Sequence, residues 1–103
     1  MQKEKKEYLK LYLLQESKIN RLKHMIIKNP ENIEIYEKEI AKAKLLRNEI
    51  EVKINNVSNP LLSELLIQKY IMGKTLEEIS LILNYSKRHI ERLHIKALEN
   101  FEL

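Results

Sequence analysis

One periodicity limits what this chain can fold into more than any other feature. From Tyr8, the residues suited to face a neighbour are Tyr8, Tyr12, Gln15, Ile19, Leu22 and Ile26, at steps alternating four and three. A second run, Ile33, Tyr36, Ile40, Ala43, Arg47, Ile50, Ile54 and Val57, keeps the same alternation. Such steps are the heptad repeat of helices packed side by side, and they do not fit the two-residue period of a strand. Asn29-Pro30 separates the two runs, and Asn59-Pro60 comes after the second. Proline disfavours helical geometry in the residue before it and fits the first helical turn, while Asn can accept capping bonds from free N–H groups. The pattern predicts helices over about 3–28 and 30–55, each on the order of 35–40 Å long. A break as short as 28–30 folds the second back on the first as an antiparallel hairpin.

If Ile26 meets Ile33 at the turn, Tyr12 lies opposite Arg47 and Gln15 opposite Ala43. The guanidinium is then expected to stack on the Tyr12 ring. Ile54 and Val57 have no apolar mate in the first helix on this register, so they should dock the hairpin onto the C-terminal domain. Leu9, Leu13, Leu14 and Leu45 lie outside the seam and should not all be consumed by packing within the chain. Exposed apolar residues along a helix mark a partner surface. A homodimer through the hairpin is the expectation.

Composition agrees with helices and removes several chemistries. Gly occurs once and Pro twice in 103 residues, while Lys, Glu, Leu and Ile abound. So little glycine argues against phosphate-cradling loops and tight β-hairpins. Without Cys there is no disulfide frame and no thiolate nucleophile or zinc site. Asp is also absent. No apolar run approaches the roughly 20 residues of a membrane helix, and the charged start has no signal-peptide core behind it. A soluble, cytoplasmic protein with no membrane association and no cofactor is expected. No nucleophile, base and oxyanion site can be assembled, so an enzyme is not expected.

The C-terminal part carries three shorter helical signals. Pro60–Met72 ends at Gly73, the sole glycine and a natural C-terminal stop. Thr75-Leu76-Glu77-Glu78 reads as a capping box opening a short helix with Leu76, Ile79 and Leu83 on one face. Asn84 suits the left-handed turn that ends it. Ser86 then caps a last helix, to about Phe101, whose inner face is Ile90, Leu93, Ala97 and Phe101. Short helix, tight turn and longer helix make a helix-turn-helix. The fold expected is therefore all-α, a coiled-coil-like hairpin over 1–57 followed by a three-helix helix-turn-helix domain over 58–103.

Charge points to a ligand for that second domain. Residues 1–57 hold the net excess, 13 Lys/Arg against 9 Glu, while 58–103 balance six against six. Within the balanced half, Lys87, Arg88, Arg92 and Lys96 cluster against one Glu91. A local basic face on a neutral domain suggests a docked anion. Arg can donate a bidentate pair of hydrogen bonds to guanine, and Glu can accept from the cytosine amine. Lys74, Thr75 and Ser86 sit at helix N-termini, where backbone N–H groups favour phosphate. His89 and His94 are five apart, so they do not share a helical face, and Glu91-x-x-His94 lacks the second copy a di-iron bundle needs. No metal site is expected.

The stretch Leu66–Leu98, LIQKYIMGKTLEEISLILNYSKRHIERLHIKAL, resembles region four of bacterial sigma factors. It is most similar to the small sigma-like regulators of phages and prophages of Gram-positive bacteria. The residues that carry the likeness are Lys69-Tyr70 before Gly73, Thr75-Leu76-Glu77-Glu78-Ile79, and Lys96-Ala97-Leu98. The resemblance implies double-stranded promoter-type DNA as ligand, RNA polymerase as a partner, and Lys87, Arg88, His89, Glu91 and Arg92 as groove-facing residues. The family commonly has an acid at the place of Arg88 and a base at that of Glu91, so a different operator is implied. A transcriptional regulator is the leading reading. Two others stand beside it: a DNA-packaging protein like the small subunit of phage terminases, and a coiled-coil interaction protein that binds no DNA.

Overall fold

Helix α1 spans Gln2–Lys28 and α2 spans Ile33–Asn55 in the computed structural model, which describes residues 2–103. Three shorter helices come next, α3 at Pro60–Leu66, α4 at Leu76–Leu83 and α5 at Lys87–Asn100. Among the described residues there is no strand, and the chain is all-α. α1 and α2 lie antiparallel. Tyr8 bonds Glu49, Arg47 bonds Glu16 and Lys18 bonds Glu39, so low numbers on one helix meet high numbers on the other. These pairs scatter around the expected register. The ring of Tyr12 is not what holds Arg47, however. Its guanidinium binds the Glu16 carboxylate, because a charge-assisted hydrogen bond outweighs the weaker attraction of a ring face.

The two Asn-Pro breaks behave differently. Asn59 Oδ1 accepts from the N–H groups of Leu61 and Leu62, at 2.9 and 3.2 Å, and caps α3. Asn29 caps nothing with its side chain. A 3₁₀ turn at Pro30–Asn32 intervenes, closed by the Asn32 N–H on the Asn29 carbonyl, and α2 starts at Ile33 rather than Pro30. The tighter 3₁₀ winding reverses the chain where an α-helical start would have carried it onward.

α3 also departs from a uniform helix. The chain beyond it winds into a π-helical turn at Ile67–Ile71, which gives way to Gly73 with φ +73°. The Lys74 N–H reaches back to the Gln68 carbonyl at 2.9 Å across this widened turn. Met72 is left exposed and Tyr70 is carried inward.

Three apolar clusters result. The distal seam of the hairpin holds Ile19, Leu22, Ile40 and Ala43. At the other end, Leu9, Tyr12, Ile50, Ile54 and Val57 join Leu62, Leu66, Tyr70, Ala97, Leu98 and Phe101. Ile54 and Val57 thus pack where the register sends them, among residues of the C-terminal segment. Leu9 does not lie on the surface. It is wholly buried, because the first turns of α1 are covered by α2 on one side and by the C-terminal helices on another. Lys5, one turn before Leu9, donates to the Leu98 carbonyl at 2.8 Å and satisfies the end of α5. The third cluster, Leu65, Ile79 and Ile90, fixes α4 and α5 against α3. Since one cluster draws on both sides of residue 57, the base of the hairpin and the C-terminal helices share a core. The distal hairpin projects from it, which gives extents of 51 × 26 × 21 Å and a radius of gyration of 16.1 Å. A compact chain of this length would have about 13 Å.

Candidate functional site

Two caps and one left-handed residue set the geometry of α4 and α5. Thr75 Oγ1 accepts from the Glu78 N–H at 3.1 Å, and the Glu78 carboxylate accepts from the Thr75 N–H at 2.9 Å. Bonds to that carboxylate, from the Thr75 backbone N–H first and then from the Thr75 hydroxyl, hold it below its usual range. Ser80 Oγ donates to the Glu77 carbonyl, and Asn84 ends α4 at φ 61°, ψ 45°. After this short turn, Ser86 Oγ accepts from the His89 N–H at 3.1 Å and starts α5.

The face of α5 that this presents is decided by burial. Ile90, Ala97 and Leu98 are wholly buried, while Arg88, Glu91, Arg92 and Lys96 are exposed. Arg88, Arg92 and Lys96 are spaced every fourth residue and so form one stripe along the helix. None of the three makes a salt bridge among the described residues. Ile95 lies within the same outward face and is about half exposed, at 55%. It is not among the expected contact residues, because its apolar type reads as core.

Other expected residues have partners already. Lys87 Nζ lies 3.0 Å from Glu77 Oε1, and that bond raises the ammonium's pKa. An exposed pair of this kind contributes little stability and is readily exchanged for another anion. His89 packs against Tyr85, ring centres 4.9 Å apart, at the mouth of the turn. Lys74, Thr75 and Lys87 meet in a groove of about 440 Å³ that Lys69, Gly73 and Leu13 also line. Lys69 is a basic residue of this groove that is not among the expected contact residues; its position four residues before Gly73 is the available signal.

His94 and Glu91 do not converge. His94 is buried, and its Nε2 shares a 2.8 Å hydrogen bond with the Tyr70 hydroxyl, while Glu91 faces outward. Burial first, then Lys69 and Lys6, push the imidazole down to about 4. Burial also raises the Tyr70 phenol to about 12. Among the described residues no three His or Glu side chains gather as a metal would require, and no helix is long and apolar enough to cross a membrane.

The fold and this site define an all-helical chain with an exposed, unpaired basic stripe on its last helix. Comparison of the chain with protein-family models, curated proteins and solved structures finds no match.

Proposed function

We propose that the protein is a sequence-specific binder of double-stranded DNA and a transcriptional regulator, with α4, the turn and α5 acting as a helix-turn-helix. The observation that carries this reading is the stripe of Arg88, Arg92 and Lys96, exposed and unpaired on a helix whose other side is locked into the core. Guanidinium groups on that face can reach base edges in a major groove, with Glu91 available to a cytosine amine. Lys74, Thr75, Ser86 and Lys87 stand at the starts of α4 and α5, where backbone N–H groups and ammonium groups suit phosphate. The likeness of Leu66–Leu98 to sigma region four supports the same residues and suggests a phage or prophage regulator working with RNA polymerase in the cytoplasm.

The test is selection of a preferred duplex from a random pool, followed by binding of variants. Arg88→Ala and Arg92→Ala should each lose about 1–3 kcal/mol on the selected site and relax preference there. Unchanged binding by both, on selected and random duplex alike, would remove the reading role of α5.

The hairpin supports a homodimer. Leu14, Leu45 and Val52 are 58, 72 and 58% exposed along its outer faces. Two copies would supply the paired reading heads that a palindromic site requires. Sedimentation of a strict monomer at high concentration would refute it, whereas a ring-shaped oligomer would turn the reading toward a packaging protein of the small-terminase kind.

A further inference from the structure

The groove at the start of α4 does not end at α4. Leu13 of α1 forms part of its wall and lies against Gly73, where a Cβ would come within 3.4 Å of Leu13 Cδ1. Lys10 and Lys6 occupy the same side of α1, three and seven residues before Leu13, and both are exposed. Lys69 links the two elements, its Nζ above the Tyr70 ring at 5.6 Å. Four lysines from three separate segments therefore run from α1 past the end of α3 to the start of α4, and Lys87 continues the line at the start of α5. Apart from Lys87, held by Glu77, no lysine of this line is in a salt bridge among the described residues.

We propose that Lys6 and Lys10 of α1, with Lys69 and Lys74, form a track for the phosphate backbone of duplex DNA flanking the site read by α5. This rests on the proposed DNA-binding function and extends it to a helix outside the helix-turn-helix. Like charges at i and i+4 weaken an isolated helix, and Lys6 with Lys10 is such a pair, which an anion would relieve. Lys69 answers to the same field: burial first, then Lys10 and Lys6, lower its pKa. A backbone of regularly spaced phosphates matches charges laid out in a line better than a single small anion does. The role of the base of α1 is then twofold, to close the core through Leu9 and to lengthen the DNA footprint through Lys6 and Lys10.

The experiment is a salt titration of binding to a random-sequence duplex of about 40 base pairs, with Lys6→Gln/Lys10→Gln compared with the parent. Each lost phosphate contact lowers the salt slope by about 0.9. The double variant should lose close to two units of slope, a roughly tenfold smaller change in affinity between about 50 and 200 mM salt. Lys23→Gln/Lys28→Gln, which removes the same charge from the exposed distal part of α1, should keep the parent slope. Circular dichroism serves as the folding control. If the parent binds and the two double variants match each other in slope, the track is refuted while the DNA-binding reading stands. The same loss of slope on a single strand of equal length would refute the duplex assignment. A parent that binds no duplex in a salt-dependent way refutes both.

Discussion

A buried histidine must give up its charge or find a counter-ion, and the charges that act on His94 are the ammonium groups of Lys69 and Lys6. It stays neutral, which lets its Nε2 share a hydrogen bond with the Tyr70 hydroxyl in the interior. This has a stability consequence of definite sign. In the unfolded chain the imidazole takes a proton near pH 6.5; in the folded chain it resists until about 4. Above 6.5 both states are neutral and the contribution is intact. As pH falls from 6.5 toward 4 only the unfolded state gains the proton, and folding loses on the order of 3 kcal/mol. Urea midpoints of the parent should fall through that window more steeply than those of His94→Gln, which keeps a hydrogen-bonding group but cannot titrate. Parallel midpoints would place the sensitivity on other groups. Arg88 and Arg92 obey the opposite rule, since they remain in water and are free to change partner without a folding cost.

Among the elements, the turn between α4 and α5 depends most on a single conformation. Asn84 is the sole residue besides glycine with positive φ among those described, and its angle sets how α5 leaves the core. A β-branched side chain meets the carbonyl after it in that region at a cost of about 1–2 kcal/mol. Asn84→Val should destabilise by that amount in thermal or urea melts, and Asn84→Gly should be close to neutral. An unaffected Asn84→Val would mean that the turn can relax by another route. This element is legible from sequence because its determinants are local: Thr75 with Glu78, Asn84 and Ser86 each act within four residues. The π-turn at Ile67–Ile71 is not, since nothing in Ile-Gln-Lys-Tyr-Ile distinguishes a widened turn from an ordinary one. The buried role of His94 escapes sequence reading for a related reason. Its burial depends on Tyr70, 24 residues earlier, and on the phase that the π-turn gives to that ring. The basic stripe of α5 can be read because it is the complement of an apolar face with helical spacing. Ile95 within it cannot, because an apolar type gives no signal of exposure.

At the scale of the molecule, the helical hairpin and the C-terminal helices meet in one apolar cluster rather than through a linker. A single stripe along α1 leaves Leu9 outside the seam; in three dimensions the base of α1 has two buried sides, and a periodicity records only the one that repeats. The consequence concerns how the chain can be divided. Cut at residue 57, the piece 58–103 would expose Leu62, Leu66, Tyr70, Ala97, Leu98 and Phe101, which now pack against Leu9, Tyr12, Ile50 and Ile54. Fully burying a large apolar side chain is worth about 1.5–3 kcal/mol, and a typical domain has only about 5–15 kcal/mol in total. The remaining Leu65–Ile79–Ile90 cluster is too small to replace that loss in a piece of this length. Residues 58–103 alone should therefore show no cooperative unfolding transition by circular dichroism and no dispersed amide spectrum. The distal hairpin is different, because Ile19, Leu22, Ile40 and Ala43 form a cluster of their own away from the base. Shortening the hairpin symmetrically, by removing one heptad from each arm around its turn, should leave the cooperative transition in place. A cooperative fold in the isolated 58–103 piece would show that the C-terminal helices form an independent domain and that the packing around Leu9 is dispensable to them.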